Sequence, residues 1–347
     1  MSLGQKTTVK NSPIIYFSQM KEILQYLFNH HTLSKSEAKA IMIEITQNKF
    51  NAAEVTAFIS IFLMRNITLK ELEGFREALL QMAVPVTLDA SDAIDIVGTG
   101  GDGKNTINIS TLTSFVVAGA GQKVTKHGNY GASTTTGSSN IFEELGYQFK
   151  NSSEKLNEDL ERANICFLHA PYFHPAIQSV GILRKSLGLR TFFNLLGPLV
   201  NPAKPQYSMI GVYSLEIARI YQYLLQKDEK DFLLVHSMDG YDEISLTHDT
   251  KIITKNGEEI YSTEDLGFDS VNPESLNSGA TTKEATKIFS NILHGKGTKQ
   301  QNSVVLANAA VALHHTNKFG SYEDCLLMAH ESLLGGKALR CLELLLE

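Results

Sequence analysis

Tryptophan is absent from the 347 residues, and cysteine nearly so. Cys166, Cys325 and Cys341 are odd in number, scattered and free of any CxxC spacing, so they fit reduced thiols of a cytoplasmic protein rather than a disulfide framework. No stretch approaches the roughly eighteen consecutive apolar residues of a membrane span. The opening MSLGQKTTVKNSP lacks the apolar core of a secretion signal, so neither membrane nor export is expected, and these first residues are set aside from the fold. Basic residues are too few to suggest nucleic acid: 31 Lys and Arg stand against 37 Asp and Glu, a net charge of −6, with no dense basic run. Repeats and low-complexity tracts are missing too. What remains is an ordinary globular composition, in a chain long enough for two domains or one large one.

Residues 14–83 carry helical periodicity in four consecutive segments, with no strand signal between them. Three open on capping-box spacing: Ser34 with Glu37, Asn51 with Glu54, Thr68 with Glu71. Beyond residue 93, β-rich runs alternate with helical ones. Strands are expected at Ala93–Val97, Lys123–Lys126, Cys166–Leu168, Tyr207–Gly211, Phe232–Val235 and Lys251–Ile253. Helices are expected at Thr111–Ala120, Ile141–Leu145, Ile217–Gln226 and Ala307–His315. The pattern predicts an α/β protein: a small all-helical domain plus a larger α/β domain with a central mixed, mostly parallel sheet. The expected division is 14–85 for the helical domain, with about 174–200 packing onto it, and 93–173 with 201–347 for the α/β domain. Within 174–200, Ile177, Val180, Leu183 and Leu187 form one helical stripe, and Arg184 sits on its border.

The chemistry concentrates between Gly98 and Ser138. GTGGDGKNTINIST and KHGNYGASTTTGS each follow a strand-like run and crowd glycine, hydroxyl and amide residues into a loop before a helix. Backbone N–H groups in such loops, with the helix N-terminus behind them, attract phosphate. Two such loops suggest a ligand with two anionic ends. Ser110 or Thr111 would cap the first helix, and Gly146 would close the second. Loops at the carboxyl ends of neighbouring strands are the usual binding place in an open α/β sheet.

Two better-known motifs nearly fit and fail. Gly98, Gly100 and Gly103 satisfy G-x-G-x-x-G, but the acidic residue wanted about twenty positions on is missing from AGAGQKV. Gly98, Gly103 and Lys104 match a P-loop until Asn105, which stands where a metal-binding Ser or Thr is needed. A plain βα turn would also use glycine, though Asn108, Ser110 and Thr111 crowd more polarity there than a turn requires. Farther on, Asp242-Glu243 is in sequence alone either a Mg²⁺ site or a solvated turn with two acids.

DIVGTGGDG, NIST, KHGN, GS before a helix, HPA, LRKSLGLRTFFNLLGPLVNPA and DEIS follow one another in the order and spacing of the anthranilate phosphoribosyltransferases, and the chain resembles that family. The resemblance runs from about residue 20 to 340. That family joins the amine of anthranilate to the ribosyl carbon of 5-phosphoribosyl 1-diphosphate (PRPP), releasing diphosphate, in tryptophan biosynthesis. The resemblance implies the same two-domain fold, a cytoplasmic homodimer formed through the helical domains, and Mg²⁺, two per active site. Its partners would be the two small substrates, with no nucleic acid and no membrane. Gly98, Gly101, Asp102, Thr106, Asn108, Ile109, Ser110 and Thr111 would bind the diphosphate and ribose. Lys126, His127, Gly128, Asn129, Tyr130, Gly131, Ala132, Ser133, Thr134 and Ser138 would hold the rest of the sugar substrate. Ser110, Asp242 and Glu243 would be the metal ligands. Gly98, Asn129, His174, Arg184 and Pro198 would line the anthranilate path.

No residue is marked as a catalytic acid or base; His127 and Asn129 would position the reactants. An aromatic amine is already neutral at pH 7, so placement counts for more than a base. His127 and His174 can equally be packing histidines. Tyr130 stands where many members have Arg, Ala132 for a frequent Val, Thr134 for Ser and Ile107 for Phe. A pyrimidine-nucleoside phosphorylase would share the architecture but not KHGN or the need for the DE pair. A non-catalytic relative would lack that pair or carry a basic surface.

Overall fold

The computed structural model describes residues 19–131 and 136–347, apart from the side chains of Ala176, Gln178, Ser179, Arg184 and Lys185. The chain opens with four helices: α1 (Met20–Phe28), α2 (Lys35–Thr46), α3 (Ala52–Met64) and α4 (Leu69–Met82). All three capping boxes form as their spacing predicts, including the Asn51 variant. Glu71 does more than cap α4. Its buried carboxylate accepts the Leu33 amide at 3.0 Å, the Thr68 amide at 2.9 Å and the Thr68 hydroxyl at 2.8 Å. Arg65 closes on it with both terminal nitrogens, at 2.6 and 2.9 Å. One carboxylate thus ties the α1–α2 loop to the α3–α4 loop. Phe58, Phe62 and Phe75 cluster edge to face in the helical core, and Phe192, from much later in the chain, stacks on Phe75 at 4.7 Å between centroids.

The remaining chain builds a seven-stranded sheet in the order β3-β2-β1-β4-β5-β6-β7. The strands are β1 (Ile94–Gly98), β2 (Val124–Gly128), β3 (Ile165–His169), β4 (Tyr207–Gly211), β5 (Asp231–Ser237), β6 (Thr250–Thr254) and β7 (Gly257–Tyr261). The first five are parallel and the last two antiparallel. The two-residue period sorts side chains between two cores. Met209, Leu233 and Val235 enter one, with α5 (Ile109–Gly119). Ile210, Phe232 and Leu234 enter the other, with the four-helix unit and Phe192. Helices α6 (Ser138–Glu144), α7 (Ser153–Ala163), α8 (Ala170–Phe173), α9 (Gln178–Leu187), α10 (Phe192–Leu196) and α11 (Leu215–Leu225) follow in chain order. The chain ends with α12 (Thr282–Leu293), α13 (Lys299–His315), α14 (Tyr322–Leu334) and α15 (Lys337–Leu346).

The structure corrects the expected elements in several places. β7 escapes the sequence reading, because its GEEIY is almost wholly exposed and has no apolar alternation; the Asn256-Gly257 dipeptide, where the Lys255-Asn256 turn meets β7, is the available signal. α13 starts at Lys299, eight residues before the apolar Ala307 stretch, because Thr298 and Gln301 form a capping box ahead of a polar first turn. α5 and α6 also begin earlier than expected, at Ile109 and Ser138.

Topology fixes where a ligand can enter. From β1 the chain moves to β2 and β3 on one side, then returns to lay β4 on the other. The crevice at the carboxyl ends of β1 and β4 is therefore the topological switch point, where open α/β sheets bind ligands.

The Glu71 junction makes a stability prediction. Burial pushes its carboxyl up, but Arg65, the Thr68 and Leu33 amides and the Thr68 hydroxyl together hold it below its ordinary value of 4.5. A depressed carboxyl pKa contributes stability that is complete above the unfolded value and lost as pH falls through the folded value. Breaking such a buried pair costs about 3–5 kcal/mol. Urea unfolding of Glu71→Gln at pH 7 should show that loss, and the gap to wild type should shrink below about pH 4.5. A gap that does not change with pH would contradict the assignment.

Candidate active site

At the paired carboxyl ends of β1 and β4, where Gly98 lies opposite Gly211, the segment after β5 packs against both strands. A Cβ on Gly211 would collide with the Asp242 backbone carbonyl, and one on Gly98 with the Asp242 carboxylate. Glycine at both strand ends is what allows this approach. Asp242 Oδ2 accepts the Gly100 amide at 2.6 Å, and Glu243 Oε1 accepts the Ser110 amide at 2.9 Å. The first Gly-rich loop wraps these acids through left-handed turns at Gly100, Gly101 and Gly103, with φ of 63°, 79° and 77°. Asp242 is only 6% exposed, so the solvated-turn reading of the acidic pair is wrong.

Glu243 also explains why α5 starts early. Neither Ser110 nor Thr111 is its N-cap; Asn108 holds that position, and its side chain makes no capping bond. A carboxylate from a distant loop takes the orphan amide instead, and negative charge is favourable at that end of a helix.

Asp102 completes an acidic cluster, with Oδ1 on the Lys104 amide at 2.9 Å and its carboxyl hydrogen-bonded to that of Asp242. Burial, then the Asp102 charge, pushes Asp242 up to about 7. Burial, then Asp242, raises Glu243 well above the carboxylate range. Burial raises Asp102 as well, against the pull of the Lys104 amide, Asp242 and the Lys104 and Arg190 charges. Two other buried acids are neutralised by the protein itself, Glu71 by Arg65 and Asp159 by Lys150. Among the described residues these three have no such ion pair.

No three His, Cys, Asp or Glu side chains among the described residues are set to hold one ion alone. Mg²⁺ still fits the cluster, because it takes one or two carboxylates and completes its shell with water and substrate phosphate.

The far end of the first loop is pinned. Asn105, the residue that broke the P-loop match, gives its amide to the Gly279 carbonyl at 2.6 Å and accepts the Ser278 hydroxyl at 3.0 Å. The second loop rises from β2 over a buried polar network. Asp95, the second residue of β1, accepts the His127 amide at 3.2 Å and the Asn201 Nδ2–H at 2.8 Å. Lys126, 1% exposed, gives Nζ to the Ile96 carbonyl at 2.7 Å. Burial lowers Lys126 to about 8, opposed by Asp95 and Glu243, and raises Asp95 to about 6, opposed by Lys126. Asn108 Nδ2 reaches the Thr136 carbonyl at 3.4 Å, so the two loops meet.

Both histidines stand against the 197–200 turn. His127 Nδ1 faces the Gly197 carbonyl at 3.3 Å, and His174 Nε2 faces that of Val200 at 2.8 Å. Burial and then the His174 neighbour take His127 down to about 3, so its ring is neutral. A carbonyl only accepts, so Nδ1 carries the proton and Nε2 is left as an acceptor. That Nε2 is buried and has no partner among the described residues.

One cleft of about 410 Å³ gathers most of the residues singled out in sequence. It is lined by Gly98, Asp102, Thr106, Asn108, Ser110, Thr111, Lys126, His127, Gly128, Asn129, Tyr130, Gly131, Ser138, His174, Pro198, Asp242 and Glu243. Gly101 and Ile109 are buried and do not line it. Ala132, Ser133, Thr134 and the Arg184 side chain lie outside the described residues. Arg184 follows the cleft-lining Gly181 by about one turn of α9. Sequence reasoning missed Thr99, Phe193, Asn194 and Leu196 in the lining, and Gly211, Asp95 and Asn201 beneath it. An acid inside the apolar run Ile94-Asp95-Ile96-Val97 was the signal for the last network.

A model of the glycosyl transferase family, a/b domain, matches residues 90–339, and one of the glycosyl transferase family, helical bundle domain, matches 21–83. Anthranilate phosphoribosyltransferase of Flavobacterium johnsoniae is 50% identical over 94% of this chain and 99% of its own. The crystal structure of anthranilate phosphoribosyltransferase from Thermus thermophilus superposes with a TM-score of 0.84 at 30% identity, covering 92% of this chain and 97% of the other. The Saccharomyces cerevisiae enzyme in complex with PRPP and Mg superposes with a TM-score of 0.86 at 26% identity, covering 94% and 96%.

The strand-end contacts predict the cost of one methyl group. Gly211→Ala should destabilise the protein by about 1–3 kcal/mol, the usual cost of overpacking. Gly197→Ala, where a Cβ meets nothing within 4 Å, should be close to neutral. Thermal melting of both variants checks this; equal melting of Gly211→Ala and wild type would refute the close approach.

Proposed function

The chain belongs to the anthranilate phosphoribosyltransferases of the glycosyl transferase family, and on that premise we propose that its cleft moves the phosphoribosyl group of PRPP onto the amine of anthranilate, releasing diphosphate. The observation that carries this reading is the meeting of two amide-rich loops over buried carboxylates that form no ion pair among the described residues. A sugar with a diphosphate at one end and a phosphate at the other needs both loops and a divalent cation.

In this reading Gly98, Gly101, Asp102, Thr106, Asn108, Ser110 and Thr111 hold the diphosphate and ribose. Ile109, buried at the start of α5, contributes through the helix end it begins. The second loop, from Lys126 to Thr134 with Ser138, holds the remaining phosphate. Asp242, Glu243 and the Ser110 hydroxyl are the Mg²⁺ ligands, with two ions per site. Bound Mg²⁺ neutralises the diphosphate and makes it a better leaving group. The loop amides share that charge as it develops.

The acceptor enters beside His174, Pro198 and Asn129. Neutral His127, with its Nδ1–H turned to Gly197, offers Nε2 to the N–H of an incoming amine. It positions; it is not placed to donate a proton. Arg184 brings a two-pronged donor to the carboxylate of anthranilate. Residues 14–85 with 174–200 act as one unit, and 93–173 with 201–347 as the other, although 14–18 and 132–135 lie outside the described residues. Exposed Phe28, Leu63 and Met64 on α1 and α3 suit a homodimer formed through the helical unit. No helix among the described residues is long and apolar enough to cross a membrane, which suits cytoplasmic work.

Purified protein should quench anthranilate fluorescence only when PRPP and Mg²⁺ are both present. Phosphorolysis of thymidine or uridine without anthranilate consumption would overturn the reading. Asp242→Asn with Glu243→Gln should abolish most Mg²⁺-dependent turnover; wild-type rates in that double variant would remove the metal role.

Arg184→Ala should cost about 10- to 150-fold in anthranilate use, the loss of one charged hydrogen bond, while the KM for PRPP changes far less. Equal losses for both substrates would contradict the carboxylate role.

A further inference from the structure

Two cations beside the first loop lack the carboxylate partner that this protein usually supplies. Arg65, Arg76 and Lys150 are each ion-paired, at 2.6, 2.5 and 2.6 Å. Lys104, half-buried and lining the cleft, instead holds Nζ 4.5 Å over the Tyr241 ring. Arg190, from the turn between α9 and α10, lies with its guanidinium 5.4 Å over the Tyr213 ring. Its Nη2 passes so close to Gly103 that a Cβ there would lie 3.1 Å away. Among the described residues neither cation forms an ion pair, although Asp102 is near enough to feel both charges.

We propose that Lys104 and Arg190 form a clamp for the diphosphate end of the sugar substrate, resting on tyrosine faces until that anion arrives. This rests on the reading of the cleft given above and adds two residues to it. A tyrosine face orients a cation without neutralising it, and its hold is weaker than a charge-assisted bond to a phosphate oxygen. The two side chains bracket the same stretch of loop, Lys104 from within it and Arg190 from across Gly103. Lys104 is a point charge on a backbone fixed next to the pinned Asn105. Arg190 offers a planar fork suited to two oxygens of one anion. Arg190 also sits on the segment that lines the acceptor side through Phe193 and Asn194. A diphosphate held by it therefore links the donor loop to the elements around the acceptor. When the bond from the ribosyl carbon to the diphosphate oxygen breaks, the electron pair leaves on that oxygen, and the clamp faces the group that receives it.

The experiment is calorimetric titration of inorganic diphosphate, with Mg²⁺ present, into the full-length protein. Lys104→Gln, Arg190→Gln and the double variant are compared with wild type, and KM values for both substrates are measured alongside. Each single variant should bind diphosphate about 10-fold more weakly and the double variant about 100-fold. The KM for PRPP should rise in parallel while that for anthranilate moves less than about twofold, and Arg190→Lys should recover part of the loss. Wild-type diphosphate affinity in the double variant overturns the clamp, as does an equal rise in both KM values, which would mark a structural role. If Arg190→Gln fails to fold, undiminished binding by Lys104→Gln overturns it alone. A wild-type protein that neither binds diphosphate nor consumes PRPP would bring down the functional reading itself; one that consumes PRPP while the variants lose nothing brings down only the clamp.

Discussion

The carboxylates of Asp242 and Glu243 are bonded to backbone amides that lie 142 and 133 positions earlier in the chain. Those two contacts shape the first-loop side of the cleft. One fixes the first loop where it leaves β1, and the other replaces the missing cap of α5. The segment can come this close because β1 and β4 both end in glycine where Asp242 lies against them. Holding acids this close in a buried site is unfavourable without a cation, as the raised carboxyl of Asp242 records. Among the described residues no ion pair balances that charge.

The side of the cleft proposed for the acceptor rests on a second buried network. Asp95, Asn201 and Lys126 brace the end of β2, and His127 and His174 then brace the 197–200 turn. Just before that turn, Phe192 runs into the aromatic cluster of α3 and α4, while Arg76 of α4 reaches the Leu199 carbonyl at 3.1 Å and Asp228 at 2.5 Å. The four-helix unit, which carries none of the cleft chemistry, is thereby coupled to the wall that would meet anthranilate. Its stability bears on function through that wall rather than through any residue of its own.

Local signals were legible in the sequence wherever the physical cause was local. Ser34, Asn51 and Thr68 announce helix starts because a cap and its partner lie three residues apart. The strand cores were legible because burial on both faces leaves continuous apolar runs. The failures share the opposite cause. Gly211 looks like any strand residue until Asp242 arrives against it. The start of α5 cannot be read from Asn108 or Ser110, since its cap comes from Glu243. Asn105 breaks a motif in sequence yet proves to be the pin that holds the loop to Gly279. The acidic pair was undecidable by composition, because only tertiary burial separates a cation site from a wet turn.

The most direct test is a crystal structure of the full chain grown with PRPP and Mg²⁺. The diphosphate should lie along Gly98–Thr111, with a cation between it and the Asp242 or Glu243 carboxylate and the other phosphate against the Lys126–Ser138 loop. A sugar bound in the reverse orientation, or a cation that touches neither acid, would contradict the central claim.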